Sequence, residues 1–224
     1  MANAEHLKVV QGGSESVNRL RQNYSGRLNL RYASLRGVNL SGADLSRACL
    51  FGANLSYAKL NGANLSSANL REANLYRADL SKAKLMDVQA YDANFQYANL
   101  YGANLCSANL DFANFSLAEL FNAKLTCSSL VGTLFFYTDL FLTDFKDATM
   151  DCTAICGCDL SKCINLDTVK HTEPSSITLD TITQSYYGAG KCYTNILESF
   201  LTDAGVPKQL LNALSEILSQ KEVH

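Results

Sequence analysis

Residues 41–75 read SGADLSRACLFGANLSYAKLNGANLSSANLREANL, with a large apolar side chain at every fifth position. The register runs from Leu30 to Leu160 through 27 five-residue units and breaks once, at Ala90. A fixed period held over this length decides the architecture ahead of any local propensity. Two residues before most of these centres stands a small side chain. It is Ala at 33, from 43 to 83 and from 93 to 123, then Ser128, Thr133, Thr138 and Thr143, and finally Cys158 and Cys163. Five is neither the 3.6 of a helix nor the 2 of a strand. A helix would smear the Leu centres over every face, and a flat strand would alternate them. The pattern fits a coil that turns a corner every five residues, with centre and small residue both facing inward.

The units Ala53-Asn54-Leu55, Ala63-Asn64-Leu65, Ala73-Asn74-Leu75 and Ala103-Asn104-Leu105 resemble the A-(D/N)-L-x-x consensus of the pentapeptide repeat family, across about 60% of the chain. The segments HLKVVQGGSESVNRLR and FLTDAGVPKQLLNAL resemble those that bracket repeats in cyanobacterial-type members. The resemblance implies an all-β solenoid, a right-handed quadrilateral β-helix with four pentapeptides per coil and about seven coils. A 20-residue rhythm supports it independently: Phe95, Phe115 and Phe135 are centres 20 apart, and Tyr101, Phe121 and Phe141 repeat it outside. At about 4.8 Å per parallel rung such a rod is roughly 30–35 Å long.

The expected organisation is an N-terminal helical cap over 1–25, the repeat helix over 26–163, and a C-terminal extension over 164–224 with two helices. Caps are needed because a stack of parallel coils leaves an unpaired edge at each end. Ser14 is expected to N-cap a helix through ESVNRLRQNY, with Val17 and Leu20 on one face. Asn195 and Glu198 are expected to form a capping box opening ILESFLTDAG. Gly205 suits the stop and Pro207 the next first turn. The last helix would carry Leu210, Leu211, Leu214, Ile217 and Leu218 on one side. At the broken centre, Val88 in the small slot is expected to fill part of the space Ala90 leaves.

No constellation for catalysis is visible, and no cofactor is expected. YYGAGKCYT has Ser185 where a phosphate loop needs its first Gly, so it reads as a Gly-rich turn. His6, His171 and His224 all lie outside the repeat, which leaves Ser/His or Cys/His chemistry nothing to build on. Cys152, Cys156, Cys158 and Cys163 match no common zinc spacing. Cys158 and Cys163 fall in inward slots, where a thiol packs as a small apolar group, while Cys152 and Cys156 fall outside. The start lacks a secretory h-region and no apolar run spans a membrane, so a cytoplasmic location with reduced thiols is expected.

The net charge of −2 conceals an axial dipole. Residues 26–85 carry nine Lys/Arg against three Asp/Glu, and residues 86–163 carry three against nine. In the acidic half one face presents Glu119, Asp139 and Asp159 just before successive centres, and Tyr101, Phe121 and Phe141 just after them; Phe136 and Tyr137 adjoin. Either the C-terminal segment covers this column, or the column meets a partner or a second copy of the chain. The reading is a non-enzymatic scaffold for an unidentified protein partner, with a regulatory role suited to such a surface. The alternative is a DNA mimic acting on DNA gyrase or topoisomerase, as the resemblance allows; the basic half weighs against it. Direct nucleic-acid binding is disfavoured because Arg31, Arg36, Arg47, Arg71 and Arg77 spread over several faces.

Overall fold

The computed structural model describes residues 1–190 and 193–220. Each repeat unit closes a turn. The carbonyl of Leu30 accepts the N–H of Ala33 at 3.0 Å, and Tyr32 between them has φ 57°. That positive φ is what a type II turn demands of its third residue. Gly37, Gly42 and Gly62 meet it at no steric cost; Arg47, Tyr57, Phe112, Leu117 and Tyr137 hold it with a side chain. Where Asn or Asp stands before a centre, it locks the corner. Its Oδ1 accepts the N–H two residues on, as from Asn54 to Ser56 (3.0 Å), Asp79 to Ser81 (3.0 Å) and Asn99 to Tyr101 (2.9 Å). This Asx geometry explains why the motif needs a short polar side chain there.

Successive coils pair in parallel with a step of 20, from Asn29↔Cys49 to Asp144↔Ile164. Asn54 donates its N–H to the Ala33 carbonyl at 2.9 Å, and Leu55 donates to Asn74 at 2.8 Å, so each rung is held from both sides. Where the ladder is most regular it forms β1 (Leu134–Phe136), β2 (Ala154–Cys156) and β3 (Ser176–Ile177), parallel and in that order. Pairing runs on past 163: Thr149 meets Lys170 and Ala154 meets Ser176. The longer steps absorb a short 3-10 turn at Leu166–Thr168, entered through Asn165 at φ 59°.

The centres form one continuous core. Phe95, Phe115 and Phe135 stack with centroids 4.7 and 5.5 Å apart, and Phe145 meets Phe135 edge-on at 6.3 Å. Val88 and Ala90 are both fully buried. The branched residues Val38 and Val88 stretch their turn hydrogen bonds to 3.3 Å, where neighbouring Ala units hold 2.9–3.1 Å. The drift to Thr is equally structural. The hydroxyls of Thr133, Thr138, Thr143 and Thr153 donate to the carbonyls of Leu110, Phe115, Leu120 and Leu130 at 2.8–2.9 Å.

Helices flank the ladder. At the start, α1 (Ala4–Gln11) and α2 (Ser14–Arg21) send Val10 and Val17 into the core. Ser14 is the first helical residue and the N-cap position falls on Gly13 at φ 85°, so the expected Ser14 cap is not formed. After the ladder come α3 (Leu179–Gly188), α4 (Asn195–Asp203) and α5 (Lys208–Gln220), three helices where two are expected from sequence. The N-cap of α4 is Thr194, whose hydroxyl accepts the Leu197 N–H at 3.2 Å; Asn195 sits one residue inside, which replaces the expected capping box. Gly205 at φ 98° ends α4, and the Pro207 carbonyl accepts Leu210 and Leu211, as expected. Of the α5 stripe, Leu211 and Leu218 are buried and Leu214 packs on the core, but Leu210 and Ile217 face outward. In the Gly-rich turn, α3 extends through Gly188; Lys191 and Cys192 lie outside the described residues. No described helix is long and apolar enough to cross a membrane.

Candidate functional site

The outer aromatic column forms as the 20-residue rhythm predicts. Tyr101 and Phe121 stack with centroids 5.4 Å apart and planes 4° from parallel; Phe121 and Phe141 follow at 5.5 Å and 11°. The described residues of the C-terminal segment leave it open: Tyr101 is 39% exposed and Phe141 44%. The reason is the path of that segment. The ladder continues through β3, and α3 meets the end of the rod at β2 (where Thr181 and Ser185 bond the last rung), so the sides stay open.

The carboxylates stand beside the column. Glu119 and Asp139 face each other across the ladder. Like charges in register repel. Asp139 and Asp159 each give one oxygen to the corner, Asp139 to the Phe141 N–H at 3.0 Å and Asp159 to the Ser161 N–H at 2.8 Å. The second oxygens, and both oxygens of the longer Glu119, are left for other contacts. The next corner carries Phe136, half-buried, and Tyr137, 63% exposed. Between the two corners runs a groove of about 410 Å³ lined by Tyr137, Asp139, Phe141, Asp159 and Gln184. Of the residues singled out from sequence the groove gathers Tyr137, Asp139, Phe141 and Asp159, while Tyr101, Phe121 and Glu119 continue the same face in earlier coils and Phe136 adjoins Tyr137. Gln184 was not foreseen, because α3 was not.

The basic half was under-read in sequence. Its cations lie over outward rings of the same chain about one coil further on. Arg36 lies 4.4 Å from the ring centroid of Tyr57, Arg31 4.9 Å from Phe51, Arg77 5.1 Å from Tyr97, Arg71 5.3 Å from Tyr91 and Lys82 5.9 Å from Tyr101. The signal was available: each pair lies about one coil apart, 19 to 21 residues.

The four Cys near the end take the positions expected. Cys158 is buried and Cys152 exposed. The Cys158 and Cys163 thiols donate to the Phe135 and Leu140 carbonyls, both at 3.3 Å, as the Thr hydroxyls do one coil earlier. Burial pushes the Cys158 thiol up to about 11 and the Cys163 thiol well above its ordinary value.

The pentapeptide-repeat model matches the chain in 8 copies, over residues 27–56, 48–87 and 91–126. The chain belongs to the pentapeptide repeat family. The fold of a pentapeptide repeat protein is a right-handed β-helix, and the 20-residue ladder is its pairing pattern. Among solved structures the chain is similar to HetL, a pentapeptide repeat protein involved in heterocyst differentiation regulation from the cyanobacterium Nostoc sp. strain PCC 7120. Identity is 28% over 73% of this chain and 79% of that one, with a TM-score of 0.47. It is similar to the pentapeptide repeat protein Rfr23 from the cyanobacterium Cyanothece 51142, with 35% identity over 45% of this chain and 61% of that one and a TM-score of 0.27. It is also similar to QnrB1, a plasmid-mediated fluoroquinolone resistance protein, with 17% identity over 75% and 96% and a TM-score of 0.36. No curated protein matches the chain.

Proposed function

We propose that this pentapeptide repeat protein is a non-enzymatic scaffold whose acidic and aromatic face docks a protein partner. In this reading a four-sided helix of about seven coils is closed by residues 1–25 and 164–224 and serves as a rigid mount. The observation that carries it is the half-exposed stack of Tyr101, Phe121 and Phe141 beside Glu119, Asp139 and Asp159. Stacked rings on a rigid ladder lose little entropy on docking, which is where binding free energy is otherwise spent. Aromatic anchors beside a polar, solvent-accessible rim are also the anatomy of a protein interface. A regulatory role and a reducing, cytoplasmic setting go with the reading; the free thiols suit the latter.

The test is affinity capture from native cell extract, comparing the wild type with the Glu119→Lys/Asp139→Lys double variant. Loss of captured protein from the variant is expected. An identical captured set would remove this face as the docking surface. The DNA-mimic alternative is weaker because residues 26–85 carry an excess of six positive charges, nine against three, along the length that would have to imitate duplex DNA. Inhibition of gyrase supercoiling, or quinolone protection, at micromolar protein would restore it.

A further inference from the structure

The outward rings are treated differently along the rod. The cations of the basic half, Arg31, Arg36, Arg71, Arg77 and Lys82, lie over rings about one coil further on, Phe51, Tyr57, Tyr91, Tyr97 and Tyr101, the last three at the start of the acidic half. Beyond Tyr101 the rings of the candidate face are Phe121, Phe136, Tyr137 and Phe141. Among the described residues no Lys or Arg stands over any of these four rings. Glu119, Asp139 and Asp159 make no ion pair with a described residue, and Lys162, exposed at the same corner, pairs with none of them. The face therefore has rings without cations, carboxylates without counter-charges, and a groove between them.

We propose that this groove takes an arginine-rich, extended segment of a partner protein. Its guanidiniums would lie on the rings that wall the groove, Tyr137 and Phe141, beside Asp139 and Asp159; Phe121 is already stacked between Tyr101 and Phe141. The inference rests on the docking reading above and names the chemistry of the partner. Arginine is preferred over lysine for two reasons. Its planar group lies flat on a ring, and its fork reaches a carboxylate oxygen at the same time. The occupant is extended because the carboxylates follow a straight ladder, Asp139 and Asp159 in the groove and Glu119 one coil before it, spanning roughly 10 Å at one coil per rung. A foreign segment is favoured over a second copy because four of the six Arg of the basic half, Arg31, Arg36, Arg71 and Arg77, already lie over the chain's own rings, and the other two, Arg27 and Arg47, do not make an arginine-rich run. The in-register pair Glu119 and Asp139 repel each other in the free protein, and a bound cation relieves that repulsion.

The experiment uses the full chain and a fluorescein-labelled peptide of alternating Arg and Ser, read by fluorescence anisotropy. Matching peptides carry Lys or Glu in place of Arg. The Arg peptide is expected to bind about tenfold tighter than the Lys peptide, and the Glu peptide not at all. Glu119→Lys/Asp139→Lys should abolish binding; the fold tolerates Lys there, since Lys59 and Lys124 already fill the same slot in other units. Phe141→Leu keeps the apolar bulk without the ring face, and should bring the Arg peptide down to the affinity of the Lys peptide. Equal binding of Arg and Lys peptides, or binding that survives the double charge reversal, overturns the inference. If capture from extract responds to the double variant while the Arg peptide does not bind, the docking reading stands and the arginine inference falls. If sedimentation shows a wild-type dimer that the double variant dissolves, the face belongs to a second copy and the inference likewise falls.

Discussion

The Oγ of Ser185 accepts the backbone N–H of Leu160 at 3.0 Å, and this is how the ladder ends. One turn earlier on α3, Thr181 accepts the Cys158 N–H at 3.3 Å and donates to the Ile155 carbonyl at 3.2 Å. Within the rod a centre's N–H finds the next coil, as Leu120 finds the Asp139 carbonyl at 2.8 Å. Beyond Leu160 two hydroxyls stand in for that coil, and both residues are fully buried.

Removing either hydroxyl leaves a buried N–H without a partner, which costs about 1–3 kcal/mol. Ser185→Ala is therefore expected to lower the urea midpoint by that free energy and to speed hydrogen exchange at Leu160 first. In a stack held by nearest neighbours, loosening begins at the end that was opened. A Ser185→Ala protein within a few tenths of a kcal/mol of wild type, with Leu160 still protected, would show that α3 is not what ends the ladder.

At the opposite end Arg21 makes three hydrogen bonds, beside Asn18, which bonds the Gly42 carbonyl and the Asp44 N–H. Arg21 donates from Nε to the Asp44 carbonyl at 3.0 Å and from its terminal nitrogens to Ser46 at 2.9 Å and Gly26 at 2.6 Å. These carbonyls face the side where no earlier coil exists. Lysine keeps the charge but cannot span three acceptors. Arg21→Lys should cost about 1–2 kcal/mol and Arg21→Met somewhat more, with exchange accelerated in residues 42–47 and unchanged beyond Leu140. Equal stability of the Lys variant and wild type would mean that solvent serves those carbonyls equally well.

The repeat was legible in the sequence because its physics is strictly local. Every fifth residue is a centre, and each centre from Leu30 to Leu160 is buried. The 20-residue step could be read from Phe95, Phe115 and Phe135 because flat rings must stack on rings. The ends were harder. The buried side of α3 is Thr181, Ile182, Ser185 and Tyr186, half of it hydroxyls, because its task is to bond free backbone groups. An apolar periodicity search passes over such a helix. The cap of α4 was misplaced by one residue because Thr194 and Asn195 are both competent caps, and only the path of the chain chooses between them. At the site, the acidic strip and the aromatic column were visible from register alone. Whether residues 164–224 covered them depended on where α3 docks, and no pattern within the repeat records that.

A second relationship follows from positive φ. The ring of Tyr137 lies where a Cβ on Gly157, one coil further along, would stand; Phe112 and Gly132 repeat the arrangement, as do Tyr32 and Gly52. Gly62, at φ 65°, has nothing near it. Gly62→Ala should therefore cost only the left-handed strain of about 1–2 kcal/mol. Gly157→Ala should cost more, because Tyr137 must also leave its place. In a Tyr137→Ala background that excess should vanish, giving a coupling of about 1 kcal/mol in a double-mutant cycle. Additive costs would mean that the ring makes way freely. The same cycle bears on the groove, since Tyr137 is one of its walls.

Cys158 ties the interior to pH. Its thiol fills the slot that Thr138 fills one coil earlier, bonds the Phe135 carbonyl, and is pushed by burial from 9.0 up to about 11. The folded state therefore binds this proton more tightly than the unfolded chain does. Its contribution is fully present below pH 9.0 and is lost as pH rises through about 11, up to about 2–3 kcal/mol. Cys163 and Tyr193, both raised by burial, act in the same direction, so the readout is the difference between two proteins. Cys158→Thr should match wild type at neutral pH, since Thr133, Thr138, Thr143 and Thr153 already show that a hydroxyl bonds the carbonyl below. Between pH 9 and 11 the variant should lose less stability than wild type, by an amount that grows with pH. Parallel curves across that range would mean that the thiolate is accommodated inside the rod, and that the slot is wetter than its burial indicates.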